Sequence, residues 1–257
     1  MDTDDLDQQL TGLAGLGDPL RRALYRHVAE RGLPVSRDDA ARAAGISRPL
    51  AAYHLDRLID DGLLEARYQR RSGRQGPGAG RPAKHYVRAD RQLELSLPAR
   101  DYAGLAELLA SAVEADPSGA AKAALDRAAT DLGAELGAEA AGWTAPDGDP
   151  DQVLAAIRQA LAARGYEPYD DPDGTIRLRN CPFDRIADQH RDLVCGANHA
   201  MLKALVDRVD GDPPVRAALN PQPGTCCVAL TRRAERPIRA ITSDPTIVTT
   251  SNNAPSR

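Results

Sequence analysis

Between Ser36 and Asp61 two short helical patterns are separated only by Gly45-Ile46-Ser47. A chain with that spacing has to turn sharply and lay one helix across the other. Ser36-Arg37-Asp38-Asp39 resembles a capping box with Asp in place of Glu, and it opens a helix that turns Ala40, Ala43 and Ala44 inward. Gly45 ends that helix. Left-handed backbone at the glycine allows the tight turn, Ile46 plugs the corner and Ser47 caps the next helix. The second helix, Arg48 to about Asp61, carries Ala51, Leu55 and Leu58 at i, i+4 and i+7, a narrow inward seam. An earlier helix opens on Asp18-Pro19 as N-cap and N1 proline, aligns Leu20, Leu24, Tyr25 and Val28, and stops at Gly32. After Gly62 a strand runs from Leu63-Leu64 to Arg70, and Arg71 to Lys84 form a loop rich in Gly, Pro and Arg. His85 to Arg88 return as a second strand.

Three helices followed by such a hairpin predict a winged helix-turn-helix over residues 15–92. Ser47, Arg48, Pro49, Ala52, Tyr53 and Asp56 are left outside the inward seam. Small and hydrogen-bonding side chains at the start of a helix suit a major groove about 12 Å wide, where the first turns reach base edges. The net charge of −4 argues against a nucleic-acid partner only if charge is spread evenly, and it is not. From Leu64 to Arg91 there are eight basic residues against Glu65 and Asp90. Arg71, Arg74, Arg81 and Lys84 sit on a Gly and Pro frame suited to phosphates or a narrow minor groove. Double-stranded DNA is the expected partner, bound through Ser47, Arg48, Pro49, Ala52, Tyr53 and these four cations. The glycines from Gly76 to Gly80 do not read as a phosphate-cradling turn, because Pro82 and the flanking arginines block the helix that such a turn requires.

The run Ile46-Ser47-Arg48-Pro49-Leu50-Ala51-Ala52-Tyr53-His54-Leu55, with Leu58 and Asp61-Gly62-Leu63-Leu64, resembles the recognition helix and following strand of ArsR/MarR-like bacterial regulators. The resemblance implies that Arg48, Pro49, Ala52 and Tyr53 face base edges and that His54 orients the helix against its own domain.

Aromatic residues make up only 4% of the chain, with one Trp143 and one Phe183, so Leu, Val, Ile and Ala must fill the cores. The expected fold class is mainly α with a small β content, in two compact domains and a helical linker. No run of eighteen apolar residues occurs, and the start, Met1-Asp2-Thr3-Asp4-Asp5, is acidic where a secretory signal is basic, so a cytoplasmic protein without a membrane partner is expected. Residues 93–148 read as the linker. Asp101 caps a helix whose stripe is Tyr102, Leu105, Leu108, Leu109 and Val113, and an Ala-rich helix from about Ala120 to Ala140 follows, with Leu125, Ala128, Ala129, Leu132 and Leu136 on one side. Either helix could dock on its own domain or on a second copy. A homodimer is expected, because two recognition helices are needed to read a two-fold operator.

Residues 149–231 hold all four cysteines. Asp149-Pro150 open a helix with Val153, Leu154, Ile157 and Leu161 inward, and Tyr166 to Tyr169 and Thr175 to Arg179 flank the turn Asp171-Pro172-Asp173-Gly174. A helix from about Leu193, capped by Asp192, carries Cys195 in its first turn, where the helix dipole favours a thiolate. The spacing C-x13-C-x30-C-C of Cys181, Cys195, Cys226 and Cys227 matches neither a zinc ribbon nor a CxxC redox pair. Converging sulfurs suit an iron-sulfur cluster, and buried inert thiols and zinc remain alternatives.

The segments Gly78-Ala79-Gly80-Arg81-Pro82-Ala83-Lys84, Leu95-Ser96-Leu97-Pro98, Asn180-Cys181-Pro182-Phe183, Leu193-Val194-Cys195-Gly196-Ala197-Asn198 and Pro223-Gly224-Thr225-Cys226-Cys227-Val228 resemble the SufR-type iron-sulfur regulators. That resemblance spans roughly residues 17 to 230. It implies a homodimeric repressor with a cysteine-held cluster, read as [4Fe–4S], on Cys181, Cys195 and one or both of Cys226 and Cys227, with His190, His199 or a small molecule as a further ligand. A vicinal Cys226-Cys227 pair could exchange thiols, yet no triad-like constellation or cofactor loop accompanies it, so an enzyme is not expected. Residues 232–257 read as a disordered tail.

Overall fold

In the computed structural model, residues 3–69, 82–96, 98, 100–145 and 149–233 are described. The expected wing cations Arg71, Arg74 and Arg81, the Gly76 to Gly80 run and residues 234–257 of the expected tail lie outside them; the tail's first two residues are ordered instead, Arg232 closing the last strand and the Arg233 amide donating to the Pro214 carbonyl at 3.0 Å. The fold is mainly α with two small antiparallel sheets.

The chain starts with α1 (Thr3–Gly15), a helix that the sequence reading does not include. Then α2 (Pro19–Arg31) begins where Asp18 accepts hydrogen bonds from the Leu20 and Arg21 amides at 2.8 and 2.9 Å, and ends at Gly32 with φ +60°. β1 (Val35–Ser36) leads into α3 (Arg37–Ala44), and the turn at Gly45, φ +65°, opens α4 (Arg48–Asp60). Ser36 accepts from the Asp39 amide, but its hydroxyl donates to the Asp39 carboxylate at 2.7 Å, so the shorter Asp side chain closes the capping motif on the hydroxyl. The inward face of α3 is Ala40 and Ala41; Ala43 is exposed and Ala44 half-buried, because the helix enters rotated by about one position from that expectation.

α4 buries Ala51, Leu55 and Leu58 completely, as its seam requires, against Leu24 and Val28 of α2 and the fully buried Tyr86. β2 (Leu64–Gln69) pairs antiparallel with β3 (Ala83–Arg88), which also pairs with β1, giving the order β1-β3-β2. Val35 and Ala66 both face Tyr86 across the ladder. β3 therefore starts two residues before His85, and Lys84 belongs to the strand and not to the loop. The ladder to Tyr68 and Gln69 pulls Ala83 and Lys84 into register.

The second half begins with α5 (Tyr102–Glu114), capped by Asp101 on the Gly104 amide at 2.8 Å, and α6 (Ala120–Ala141). α7 (Pro150–Ala163) buries Val153, Leu154, Ile157 and Leu161. β4 (Pro168–Asp170) and β5 (Ile176–Leu178) flank the expected turn, which Gly174 makes at φ +80°. Short α8 (Asp184–Ala187) and long α9 (Arg191–Val209) follow, then β6 (Val215–Leu219) and β7 (Val228–Arg232), in a four-stranded sheet of order β4-β5-β7-β6.

One core joins α6, α7, α9 and this sheet. Gly133 and Gly137 let α6 and α9 meet backbone to backbone: a Cβ on them would lie 2.1 Å from the Met201 carbonyl oxygen and 2.4 Å from that of Leu205. The two linker helices thus differ. α6 docks on its own chain, whereas α5 leaves Tyr102, Leu105, Leu108 and Leu109 between 53 and 70% exposed. Among the described residues, no helix is long and apolar enough to cross a membrane.

Candidate functional site

Two places carry chemistry, and they belong to different halves of the chain. The first is the outer face of α4. Ser47 caps it, accepting from the Leu50 amide at 3.4 Å, and Pro49 fills the first turn. Arg48, Pro49 and Tyr53 are exposed and Ala52 half-buried, so the seam that fixes the helix leaves its opening turns free. Leu50 and Tyr68, exposed on α4 and β2, enlarge that face beyond the expected residues. Arg48 Nε pairs with Asp38 at 2.8 Å, which sets the arginine's direction from α3. His54 packs edge-on against Tyr53, with ring centres 5.2 Å apart, and buries its Nδ1.

Lys84 reaches across from the wing strand to Asp56 on α4, Nζ to Oδ1 at 2.7 Å, and Asp56 also accepts from the Tyr86 hydroxyl at 2.9 Å. Burial and that acidic partner keep the Tyr86 phenol protonated well above its usual range, so it remains a donor. As placed, Lys84 bridges β3 and α4. Asp56 was visible in sequence as an outward residue, but its partners required the fold.

The second place is the inner edge of the four-stranded sheet. Cys181 follows β5, Cys195 lies in α9, and Cys226-Cys227 lead into β7, so three separate segments deliver four sulfurs to one spot. Cys181 and Cys227 are each within hydrogen-bonding reach of Cys226, and Cys227 is also within reach of Cys195. All four thiols are free. Cys226 and Cys227 are buried in the main core, and Cys181 and Cys195 pack against it from the rim. The hydrogen bond from Cys181 and a second from Cys227 hold the Cys226 thiol down to about 3, helped by the Val228 N–H and the Asn198 amide. The same contact with Cys226, together with burial, pushes Cys181 up; contact with Cys226 and burial do so for Cys227. One thiolate accepting from two thiols is the form this row favours.

Asn198 is the residue that cysteine spacing does not reveal. It is buried; its Nδ2 donates to Cys226 Sγ at 3.3 Å and its Oδ1 accepts from the buried Tyr166 hydroxyl at 2.5 Å. The relay fixes which amide atom faces the sulfur, because a phenol held protonated by burial and nearby sulfurs must donate. Asn198 stands three residues after Cys195, on the same face of α9, a signal the sequence did contain.

Two expectations need correcting. α9 starts at Arg191, two residues earlier than the apolar pattern suggests, so Cys195 lies beyond the first turn and the dipole argument for its thiolate loses its basis. His190, not Asp192, occupies the N-cap. The candidate histidines are engaged elsewhere: His190 Nδ1 meets Glu114 Oε2 at 2.8 Å, and His199 Nε2 lies 3.3 Å from the Ala217 carbonyl. Among the described residues, no group of three or more His, Cys, Asp or Glu side chains is disposed to hold a single metal ion.

Residues 16–67, from the approach to α2 into β2, match the family model of a helix-turn-helix domain. This match supports a DNA-binding transcriptional regulator. Among curated proteins and among solved structures, nothing matches the chain.

Proposed function

We propose that this chain is a homodimeric, DNA-binding repressor whose grip on its operator is governed by an iron-sulfur cluster held by Cys181, Cys195, Cys226 and Cys227. The observation that carries this reading is the convergence of all four cysteines of the chain into one contiguous row behind a helix-turn-helix domain.

The donor set fits such a group. It is all sulfur, no disulfide consumes it, and one member is already held as thiolate by its neighbours. The sulfurs form a row and are not gathered around one point, as a mononuclear zinc site requires, so a [4Fe–4S] cluster, whose irons each take a separate cysteine, is the group proposed. When bound, a cluster supplies metal-sulfur bonds that oxidation or iron shortage can remove. The protein does the rest: Asn198 orients Cys226, the Phe183 N–H steadies Cys181, and the apolar core excludes water from the inner pair.

The bare stripe of α5 is the dimer surface in this reading. Its inner side leaves an apolar cavity of about 410 Å³ lined by Leu109, Val113, Leu125, Leu132 and Met201, and a second copy would cover the stripe and complete the packing. Two α4 helices would then read the two halves of a palindromic operator.

Purification without oxygen is expected to give brown protein absorbing near about 400 nm, with iron and sulfide in equal amounts. Zinc in place of iron would establish the mononuclear alternative, and colourless protein that takes up no iron on reconstitution would remove the cluster from the account.

A further inference from the structure

Among the described residues, side chains from the cysteine-bearing half reach the helix-turn-helix domain, and one of them, Arg179, stands two residues from Cys181. Arg179 follows β5 directly, and its backbone is held on both sides. Its amide donates to the Glu167 carbonyl at 3.0 Å, and the carbonyl before it, Leu178, accepts from the Cys226 amide at 2.8 Å. After it, the Asn180 side chain donates to the Gly165 carbonyl at 2.6 Å, and then comes Cys181. Arg179 is therefore fixed between two of the four sulfur-bearing residues.

Its side chain leaves this frame and ends on the other domain. Nη1 donates to the Glu30 carbonyl at 2.7 Å and Nη2 to that of Arg31 at 3.5 Å. The guanidinium lies 4.1 Å from the centre of the Tyr169 ring, which holds it from the side. The carbonyls at the end of α2 lack helical partners and carry the negative end of the helix dipole, so a forked cation is suited to them. Gly32 makes the seat. It supplies the left-handed turn, and a Cβ there would lie 2.1 Å from Arg179 Nε. α2 in turn supports α4, since Leu24 and Val28 pack with Leu55 and Leu58. A second contact runs beside the first: Arg88 at the end of β3 pairs with Glu167 at 2.5 Å, the residue whose carbonyl binds the Arg179 amide.

We infer that Arg179 is the coupling residue through which the state of the cysteine row reaches the recognition helix. A change at Cys181 or Cys226 moves the backbone on either side of Arg179, and the guanidinium passes that change to the end of α2, on which α4 rests. The inference builds on the function proposed above, for it supplies the route between its two sites. In thermodynamic terms Arg179 carries the differential contact that coupling requires.

The test uses metal-free, full-length protein and amide hydrogen exchange over residues 26–34. All cysteines of the chain lie in the row, so N-ethylmaleimide alters that site alone, entering by the cleft of about 670 Å³ that Cys181, Cys226, Arg179 and Arg88 line. In the wild type, modification should speed exchange at the end of α2 by about tenfold. In Arg179→Ala exchange there should already be fast, and modification should leave it unchanged. Arg179→Lys keeps the cation without the fork; it should show a clearly reduced response and carries the test if Arg179→Ala does not melt cooperatively. A wild type that does not respond, or a variant that responds as the wild type does, overturns the inference. No iron is needed at any step, so colourless protein would defeat the cluster reading and leave this result to be judged by itself.

Discussion

The two halves of the molecule solve opposite problems with the same apolar residues. In the helix-turn-helix domain α4 packs through a narrow seam of Ala51, Leu55 and Leu58, so Arg48, Pro49 and Tyr53 on its other side stay exposed to solvent. In the second half the reactive groups share the core. Cys226 and Cys227 are buried among Leu178, Leu202 and Val228. A reading surface can be built by one helix from consecutive residues. A buried site must be assembled from distant segments, and it answers to the packing around it.

That contrast predicts different consequences for similar damage. Leu55→Ala and Leu202→Ala each remove a fully buried side chain and should each cost about 2–5 kcal/mol. By urea unfolding the losses should be alike. Leu202→Ala should also expose the cysteines, so that thiol labelling under native conditions speeds up, while Leu55→Ala should leave labelling slow and weaken DNA binding. Equal labelling in the two variants would mean that the halves are one cooperative unit.

Surface changes on α4 should act on DNA binding alone. Arg48→Ala or Tyr53→Ala should cost about 1–3 kcal/mol of binding and relax sequence preference, with little change in melting temperature. A uniform loss over all sequences would assign these residues to phosphates instead.

The cysteine row also predicts a pH dependence centred on thiols, which the first domain does not contain. Cys226 is held at about 3 against an ordinary value of 9.0, so the unfolded chain binds more protons between these limits and this thiol's stabilisation grows as pH rises through them. It is complete above the ordinary value and lost as pH falls towards 3. Cys181 and Cys227 are pushed upward, so above the ordinary thiol range they keep protons that the unfolded chain gives up, and stability falls again. Cys226→Ser should flatten the rising limb in metal-free protein, as followed by chemical denaturation at several pH values. An unaltered limb would place the depressed group elsewhere.

The smallest effect is expected at Lys84. Its pair with Asp56 is partly exposed, and Lys84→Ala should cost at most about 1 kcal/mol of stability. Lys84 spans from β3 to α4, so a larger loss would show that this contact contributes more than an exposed ion pair does.

What could be read beforehand follows the same division. Asp18-Pro19, Ser47 and the Leu55-Leu58 seam are local signals, and each stands where its periodicity or capping chemistry places it. Local reading failed where the determinant was distant. The inward face of α3 depends on α2 and α4, against which it packs, and β3 took up Ala83 and Lys84 because β2 offered them partners. β6 has only five residues and no alternation, and it is a strand because β7 lies beside it. The cysteines were visible as candidates, but their order in the row and the Asn198 and Tyr166 relay behind them depend on chain crossings that spacing does not encode. On α6 the buried residues are Gly133, Gly137 and Ala140, one position round from the expected Leu132-Leu136 stripe, because α9 approaches at the two glycines. The residue approached could not be known without α9.

If cysteine chemistry in one half governs DNA binding in the other, removing iron must change affinity. The decisive measurement, at one fixed salt concentration, is the affinity of anaerobically purified protein for duplex selected from a random pool, before and after its iron is removed by chelation. Affinity should change at least tenfold, about 1.4 kcal/mol. Iron-containing and iron-free protein that bind the same duplex equally well would contradict it.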